Sequence, residues 1–317
     1  MPRTPRRLQA NNVAGNIQQA GDANMSDTAS KKPRVESEAF KLQSLAASAR
    51  RRRERVRQDI EKLDPVIVSS LKDSEESKPA NIVSQLSNSA YETKLPFPFV
   101  GNTIPNRFEV DKESDEKYWR YMGREKFADL INEFEGIRHD PGYTALYVYG
   151  TRGYGKSHLL AALVCVLTAR EVKVVYIPDC REFSQDPVQH MITAMLFAWA
   201  DDESKQRDIV ALETQEDIYQ FLIGQEDVVF VIDQLNALQI RKDDEYADEK
   251  KQLYRWLGRL RTFKKAILSS SANNHTFLSE AMKQSSEKMM FVYGGLTEVS
   301  LRSNNSFVKN VTLLTMV

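Results

Sequence analysis

The chain has 317 residues, 41% hydrophobic and 28% charged, and its 44 Lys and Arg balance 44 Asp and Glu. That length holds one large domain or two small ones. The composition is that of a soluble intracellular protein, and no apolar run approaches the roughly 18 residues that would span a bilayer. The N-terminal stretch MPRTPRRLQANNVAGNIQQAGDANM has no apolar core and is not expected to act as a secretory signal. Cys165 and Cys180 lack ligand spacing, which argues against a zinc site or a disulfide scaffold.

Charge is unevenly spread. Residues 1–60 carry 13 Lys and Arg against 6 Asp and Glu, so this arm is about +7 and the remainder about −7. Residues 1 to 37 are rich in Asn, Gln, Ala, Ser and Arg and hold few large apolar side chains, so disorder is expected there. From Ser37 towards Leu71, good helix formers with sparse apolar points (Phe40, Leu42, Leu45, Val56, Ile60, Leu63) predict an exposed helix that stops at Pro65. A polar linker follows, which divides the chain into a basic arm at 1–93 and a folded domain at 94–317.

The folded part opens with KLPFPFVGNTIPNRFEV, a proline-rich irregular lead-in, and residues 116–138 read as an amphipathic helix interrupted near Gly123. Four short apolar runs then predict buried strands at Ala145–Tyr149, Val172–Ile177, Val228–Ile232 and Ala266–Ser270, with a fifth at 288–295. Strands alternating with long helical segments imply right-handed crossovers. The expected fold is therefore α/β, a mainly parallel sheet with helices on both faces.

Between the first of these strands and the helical run SHLLAALVCVLTA lies Gly150-Thr151-Arg152-Gly153-Tyr154-Gly155-Lys156-Ser157, a complete G-x-x-x-x-G-K-[ST] pattern. Each residue type has a physical reason. Glycines let backbone N–H groups turn inward around phosphate oxygens, and the helix N-terminus adds its positive dipole end. Lys156 reaches the β- and γ-phosphates, and the Ser157 hydroxyl ligates Mg2+. Such a loop calls for an acidic partner at the tip of a neighbouring strand, and EDVVFVIDQLNAL supplies Asp233 as a second magnesium ligand. Gln234, next in line, can orient a water molecule but cannot take its proton, so hydrolysis should be slow.

Other candidates keep two readings. Asp179 ends the second strand, either as an extra carboxylate at the same edge or as the cap of the next segment. Asp243, Asp244 and Glu245 read as a solvated loop. Ser271, Asn273 and Asn274 end the fourth strand; Asn273 is taken as a catalytic polar contact to the γ-phosphate or its water, with turn chemistry as the alternative. Arg259 and Arg261 would be arginine fingers only across a subunit interface and otherwise form a basic helix face.

Together the blocks LPFPFVG, YWRYMGREKF, YGTRGYGKSHLLAAL, VVYIPDC, VFVIDQLNAL and ILSSSANNHTF resemble the P-loop NTPase region of the Crinkler and retrotransposon hot spot proteins, over roughly residues 94–298. The resemblance implies an additional-strand, AAA+-like ATPase domain, with nucleotide on Gly150–Ser157 and magnesium on an Asp233 carried by an adjacent strand. It also implies adenine as the base and a nuclear setting. The chain lacks the Leu-Phe-Leu-Ala-Lys header of Crinkler effectors, so secretion as an effector is not expected. Its C-terminal end, GGLTEVSLRSNNSFVKNVTLLTMV, stops where that family continues, as in a truncated domain.

The basic clusters SKKPRVE (30–36) and ARRRRERVRQ (49–58) suit an import receptor or nucleic acid. The leading expectation is thus a nuclear, ATP-binding P-loop NTPase used as a slow switch, oligomeric or not, with no membrane partner. The alternative is a non-catalytic, nucleotide-stabilised module tethered to nucleic acid by the arm. A P-loop kinase ranks last, since it would need an arginine-rich lid after the last strand and the sequence ends too soon to show one.

Overall fold

The computed structural model describes residues 32–63 (side chains from 41 onward), 82–101, 104–110, 117–240, 244–271 and 287–293. By compactness the chain divides into residues 1–38 and 39–317, and every contact below lies in the second unit. Most of the expected disordered stretch, the linker at 64–81, Asp243, Asn273, Asn274 and the C-terminal end fall outside the described residues.

Helix α1 spans Lys32–Leu63, beginning before the expected Ser37 and ending just short of Pro65. The expectation of an exposed helix fails. Ala46, Ala49, Arg53, Val56 and Ile60, spaced alternately three and four apart, form a buried stripe on the core. Two alanines and an arginine carry much of that stripe, so apolar counting alone does not see it. The arginine cluster is partly consumed in packing. Arg53 is buried and lies 4.0 Å from Asp201, Arg50 pairs with Glu203, and Arg52 donates to the Lys117 carbonyl.

After α2 (Ile82–Ser87), strand β1 (Glu92–Pro96) pairs antiparallel with β2 (Tyr118–Met122), Leu95 facing Trp119. The first half of the expected helix at 116–138 is therefore a strand. YWRYM has the aromatic content and the alternation, with Trp119 and Tyr121 buried, that a pleated surface favours. Only its second half is helical, as α3 (Lys126–His139), which buries Phe127, Leu130, Ile131, Phe134 and Ile137.

The main sheet is built from β3 (Ala145–Gly150), β4 (Lys173–Ile177), β5 (Val228–Ile232), β6 (Lys265–Ser271) and β7 (Glu287–Phe291). All pairings are parallel, in the order β4-β5-β6-β3-β7. The phosphate-loop strand β3 lies between two neighbours as expected. The acid-bearing strand β5 is not its neighbour, however, because β6 intervenes. The additional strand thus sits between loop and acid, and both still open on the same edge because every strand runs the same way. This is the expected α/β fold of a P-loop NTPase.

Helices cover the sheet. In α4 (Lys156–Ala169) nearly every side chain is buried, which marks the central helix of the layer. A four-residue turn, α5 (Cys180–Phe183), precedes α6 (Pro187–Ala198), which starts with proline in its first turn and Asp186 as cap. Next come α7 (Glu203–Val210), α8 (Gln215–Ile223) with a Thr214–Asp217 capping box, a short 3-10 turn at Leu235–Leu238, and α9 (Ala247–Thr262).

Candidate functional site

The loop from Gly150 to Ser157 leaves β3 and turns into α4 through two residues in left-handed backbone, Gly153 (φ 92°) and Gly155 (φ 79°). A side chain in that region costs about 1–2 kcal/mol, which is why glycine stands at both places. Space around the two differs. Nothing approaches the position a Gly153 methyl would take, whereas one at Gly155 would collide with the Arg124 guanidinium. Arg124 is most of the way buried against the loop, its Nε has no hydrogen-bond partner, and burial lowers its pKa from the usual arginine value.

Lys156 and Ser157 open α4 and are both buried. The Lys156 ammonium donates to the carbonyls of Gly150 at 2.5 Å and Thr151 at 2.8 Å. Burial lowers its pKa below the ordinary lysine value, while the Asp233 charge pulls it back. The ammonium and the acid therefore share one electrostatic environment. The Thr151 hydroxyl is buried and makes no hydrogen bond. Behind the loop, the His158 ring packs at 4.9 Å from Phe108, tilted to it, and edge-on at 5.4 Å from Trp119. Burial, reinforced by the charges of Arg124 and Arg107, pushes its pKa down to about 3.

Asp233 follows β5 and is 1% exposed. Its backbone N–H donates to the Ile177 carbonyl at 2.9 Å, and its own carbonyl accepts from the Cys180 N–H, so the tips of β4 and β5 are tied together. Its two carboxylate oxygens have different partners. Oδ1 accepts from the Ser269 hydroxyl and from the Gln234 N–H at 2.9 Å; Oδ2 accepts from Arg107 at 3.1 Å. Gln234 is half-buried and itself in left-handed backbone (φ 61°), a conformation non-glycine residues adopt mostly where the surroundings enforce it.

The two readings of Asp179 turn out to be compatible. Its carboxylate caps α5 by accepting from the Arg181 N–H at 2.9 Å, and it also faces the sheet edge, where Arg107 donates to Oδ2 at 2.8 Å. Burial disfavours its charge, but the bonds from Arg181 and Arg107 outweigh this and hold its pKa below the usual carboxylate range. Asp244 accepts from Lys250 and from the Tyr246 N–H at the start of α9, so it serves the turn. The Ser271 N–H donates to the Asn236 amide oxygen at 3.2 Å, which is turn chemistry, while the β6 residue that touches Asp233 is Ser269. Arg259 stacks on Tyr219 and pairs with Glu216, and Arg261 pairs with Glu287.

Arg107, Arg124 and Ser269 are the site residues that sequence reasoning misses. Arg107 is a single arginine in an irregular lead-in, 72 residues before Asp179 and 126 before Asp233, and no local pattern links such positions. A signal existed for Arg124, which lies in the YMGREKF block, and for Ser269, which alternation along β6 places on one face with Ser271.

These residues fit a nucleoside triphosphate with a divalent cation. The left-handed glycines, the unpartnered Thr151 hydroxyl, the buried ammonium and helix N-terminus suit phosphate, and Ser157 with Asp233 offers hard oxygen donors. Among the described residues no cluster of three or more His, Cys, Asp or Glu could hold a metal by itself, so a cation here would also rest on phosphate oxygens. No helix among them is long and apolar enough to cross a membrane.

No curated protein matches the chain. Among solved structures it is similar to a DNA replication initiation factor at 15% identity, covering 57% of this chain and 49% of that one, with TM-score 0.36. AMPPCP-bound DnaA from Aquifex aeolicus matches at 15% identity over 59% of this chain and 54% of that one, TM-score 0.37. Domain III of the Thermotoga maritima replication initiation protein DnaA matches at 19% over 56% and 66%, TM-score 0.32. The chain thus spans about half to two-thirds of the length of these proteins. Residues 144–301, from the phosphate-loop strand past the last described strand, match the NACHT domain, in keeping with the P-loop NTPase fold of the parallel sheet.

Proposed function

We propose that this protein binds ATP with Mg2+ and hydrolyses it slowly, using the bound nucleotide as a conformational switch. The observation that carries the proposal is the single sheet edge shared by the glycine turn, Lys156, Ser157 and the buried Asp233. The loop N–H groups and the Lys156 ammonium would bind the phosphates, with Arg124 adding positive charge beside Gly155. Ser157 and Asp233 would hold Mg2+, which supplies neutralisation of the charge that develops on the β- and γ-oxygens. Gln234 stands where a base would be expected. Its amide would orient water without accepting a proton, hence slow turnover. Asn273, with Thr151 and Arg152 from the loop, completes the set of residues proposed to surround the triphosphate.

The blocks VVYIPDC and VFVIDQLNAL contain the two carboxylates of this edge, Asp179 and Asp233, which supports placing the domain near the Crinkler and retrotransposon hot spot NTPases. A nuclear location is proposed from the clusters at 30–36 and 49–58, with an import receptor as reader. Part of the second cluster is engaged in packing, so the first is the better signal.

The test is magnesium-dependent ATP binding together with steady-state turnover. Lys156→Ala should abolish binding, and Gln234→Glu should raise turnover by the 10²–10⁴-fold typical of a positioned general base. Binding unaffected by Lys156→Ala would refute the site. Affinity without turnover in both proteins would favour the non-catalytic module, and salt-sensitive DNA retention lost with residues 1–60 would identify its tether.

A further inference from the structure

We propose that Arg107 is a positioning residue that sets how tightly this site holds a divalent cation, by competing for the one oxygen of Asp233 that a cation can use. The inference rests on the nucleotide-site reading above and extends it to a residue outside the phosphate loop and the strand tips.

The two carboxylate oxygens of Asp233 are not equivalent. Oδ1 already accepts from the Ser269 hydroxyl and the Gln234 N–H. Oδ2 is the oxygen left for a cation, and Arg107 Nη2 donates to it at 3.1 Å. The same guanidinium donates through Nη1 to Asp179 at 2.8 Å and through Nη2 to the Pro178 carbonyl, while its Nε–H is buried with no partner. The Arg107 guanidinium thus spans two carboxylates, both about as buried as carboxylates become, and Asp179 is held in addition by Arg181 through Nε at 3.0 Å and Nη2 at 2.6 Å, which leaves Arg107 as the cation on Asp233. Geometry holds it there: the next residue, Phe108, is wedged between Phe97 at 5.0 Å and Trp119 at 5.2 Å, against the His158 ring behind the phosphate loop.

A cation arriving at Oδ2 must displace or share with a guanidinium that Asp179 retains. Arg107 therefore lowers the affinity of the site for metal. Once moved off Oδ2, it keeps its bonds to Asp179 and the Pro178 carbonyl, beside the site.

The experiment is Mn2+ titration, read by electron paramagnetic resonance, into full-length protein saturated with ADP. Arg107→Gln should bind Mn2+ about tenfold more tightly, the low end of what one neighbouring charge does to a protonation equilibrium, and should bind fluorescent ATP in EDTA more weakly than wild type. Arg107→Lys should fall between, and Asp233→Asn in the Arg107→Gln background should remove the gain. A merely structural role would weaken both affinities together, so Mn2+ affinity in Arg107→Gln that is unchanged or weaker overturns the proposal. Should that variant fail to fold, Asp179→Asn takes its place. It removes the carboxylate charge that competes with Asp233 for Arg107 and should weaken Mn2+ binding, and unchanged or tighter binding overturns the idea. If wild type binds no nucleotide at all, the functional reading fails as well; if it binds nucleotide but the metal affinities do not move, only this proposal fails.

Discussion

Mild acid should destabilise the nucleotide site from behind, through His158. The folded ring has its pKa pushed down to about 3 by burial between Phe108 and Trp119 and by the charges of Arg124 and Arg107, against 6.5 for an unperturbed histidine. The unfolded chain therefore takes up a proton that the folded one refuses. The resulting contribution to stability is complete above pH 6.5 and is lost as pH falls from 6.5 towards 3. At pH 5 the gap is 1.5 pH units, and at 1.36 kcal/mol per unit the ceiling is about 2 kcal/mol. His158 is only partly buried as a residue, which tempers the cost, so about 1–2 kcal/mol is expected. Against a total stability of about 5–15 kcal/mol this is measurable. Urea unfolding at pH 7.5 and pH 5 for wild type and His158→Phe reads it directly, because the variant keeps an aromatic between the same two rings but cannot titrate. His190, lowered to about 4 by burial, contributes equally to both proteins and cancels. An equal loss of stability on acidification in the two proteins would refute the reasoning.

Three further outcomes are expected. Gly150→Ala would drive a methyl into the Val292 carbonyl, which the Val292 N–H to Tyr149 carbonyl bond at 2.8 Å holds in place; β7 should loosen, with hydrogen exchange rising at Met289–Val292 while β4 and β5 stay protected. Ile60→Ala, which removes a side chain 2% exposed from the α1 stripe, should cost about 2–5 kcal/mol in denaturant unfolding; a cost below about 0.5 kcal/mol would show that α1 is not part of the folded domain. Thr214→Ala, which removes the capping box of α8, should cost about 1 kcal/mol by the same measurement, and no loss would mean the cap is idle in solution.

Local pattern carried much of this protein. The strand Val228–Ile232 is found at its predicted limits, and β3, β4 and β6 within a residue or so, because short, fully buried parallel strands are continuous apolar runs bounded by turn residues. The phosphate loop was legible because its glycines, lysine and serine are contiguous and each is required by backbone geometry or charge. Asp233 was legible for a related reason: a carboxylate directly after a buried strand can only emerge at the sheet edge.

What sequence could not supply was distance across the chain. YWRYM looks helical while its neighbours along the chain are the only context, and it becomes a strand because β1 is there to pair with it. Helix α1 looks exposed until Ala46, Ala49 and Arg53 meet the core, since burial of a small or charged residue depends on what it faces. The insertion of β6 between loop and acid follows from crossover connections that no local run encodes. Arg107 is the sharpest case. Its bond to Asp233 joins residues 126 positions apart, and which charge sits on the Asp233 Oδ2 is decided only when the pre-loop segment folds back over the sheet edge.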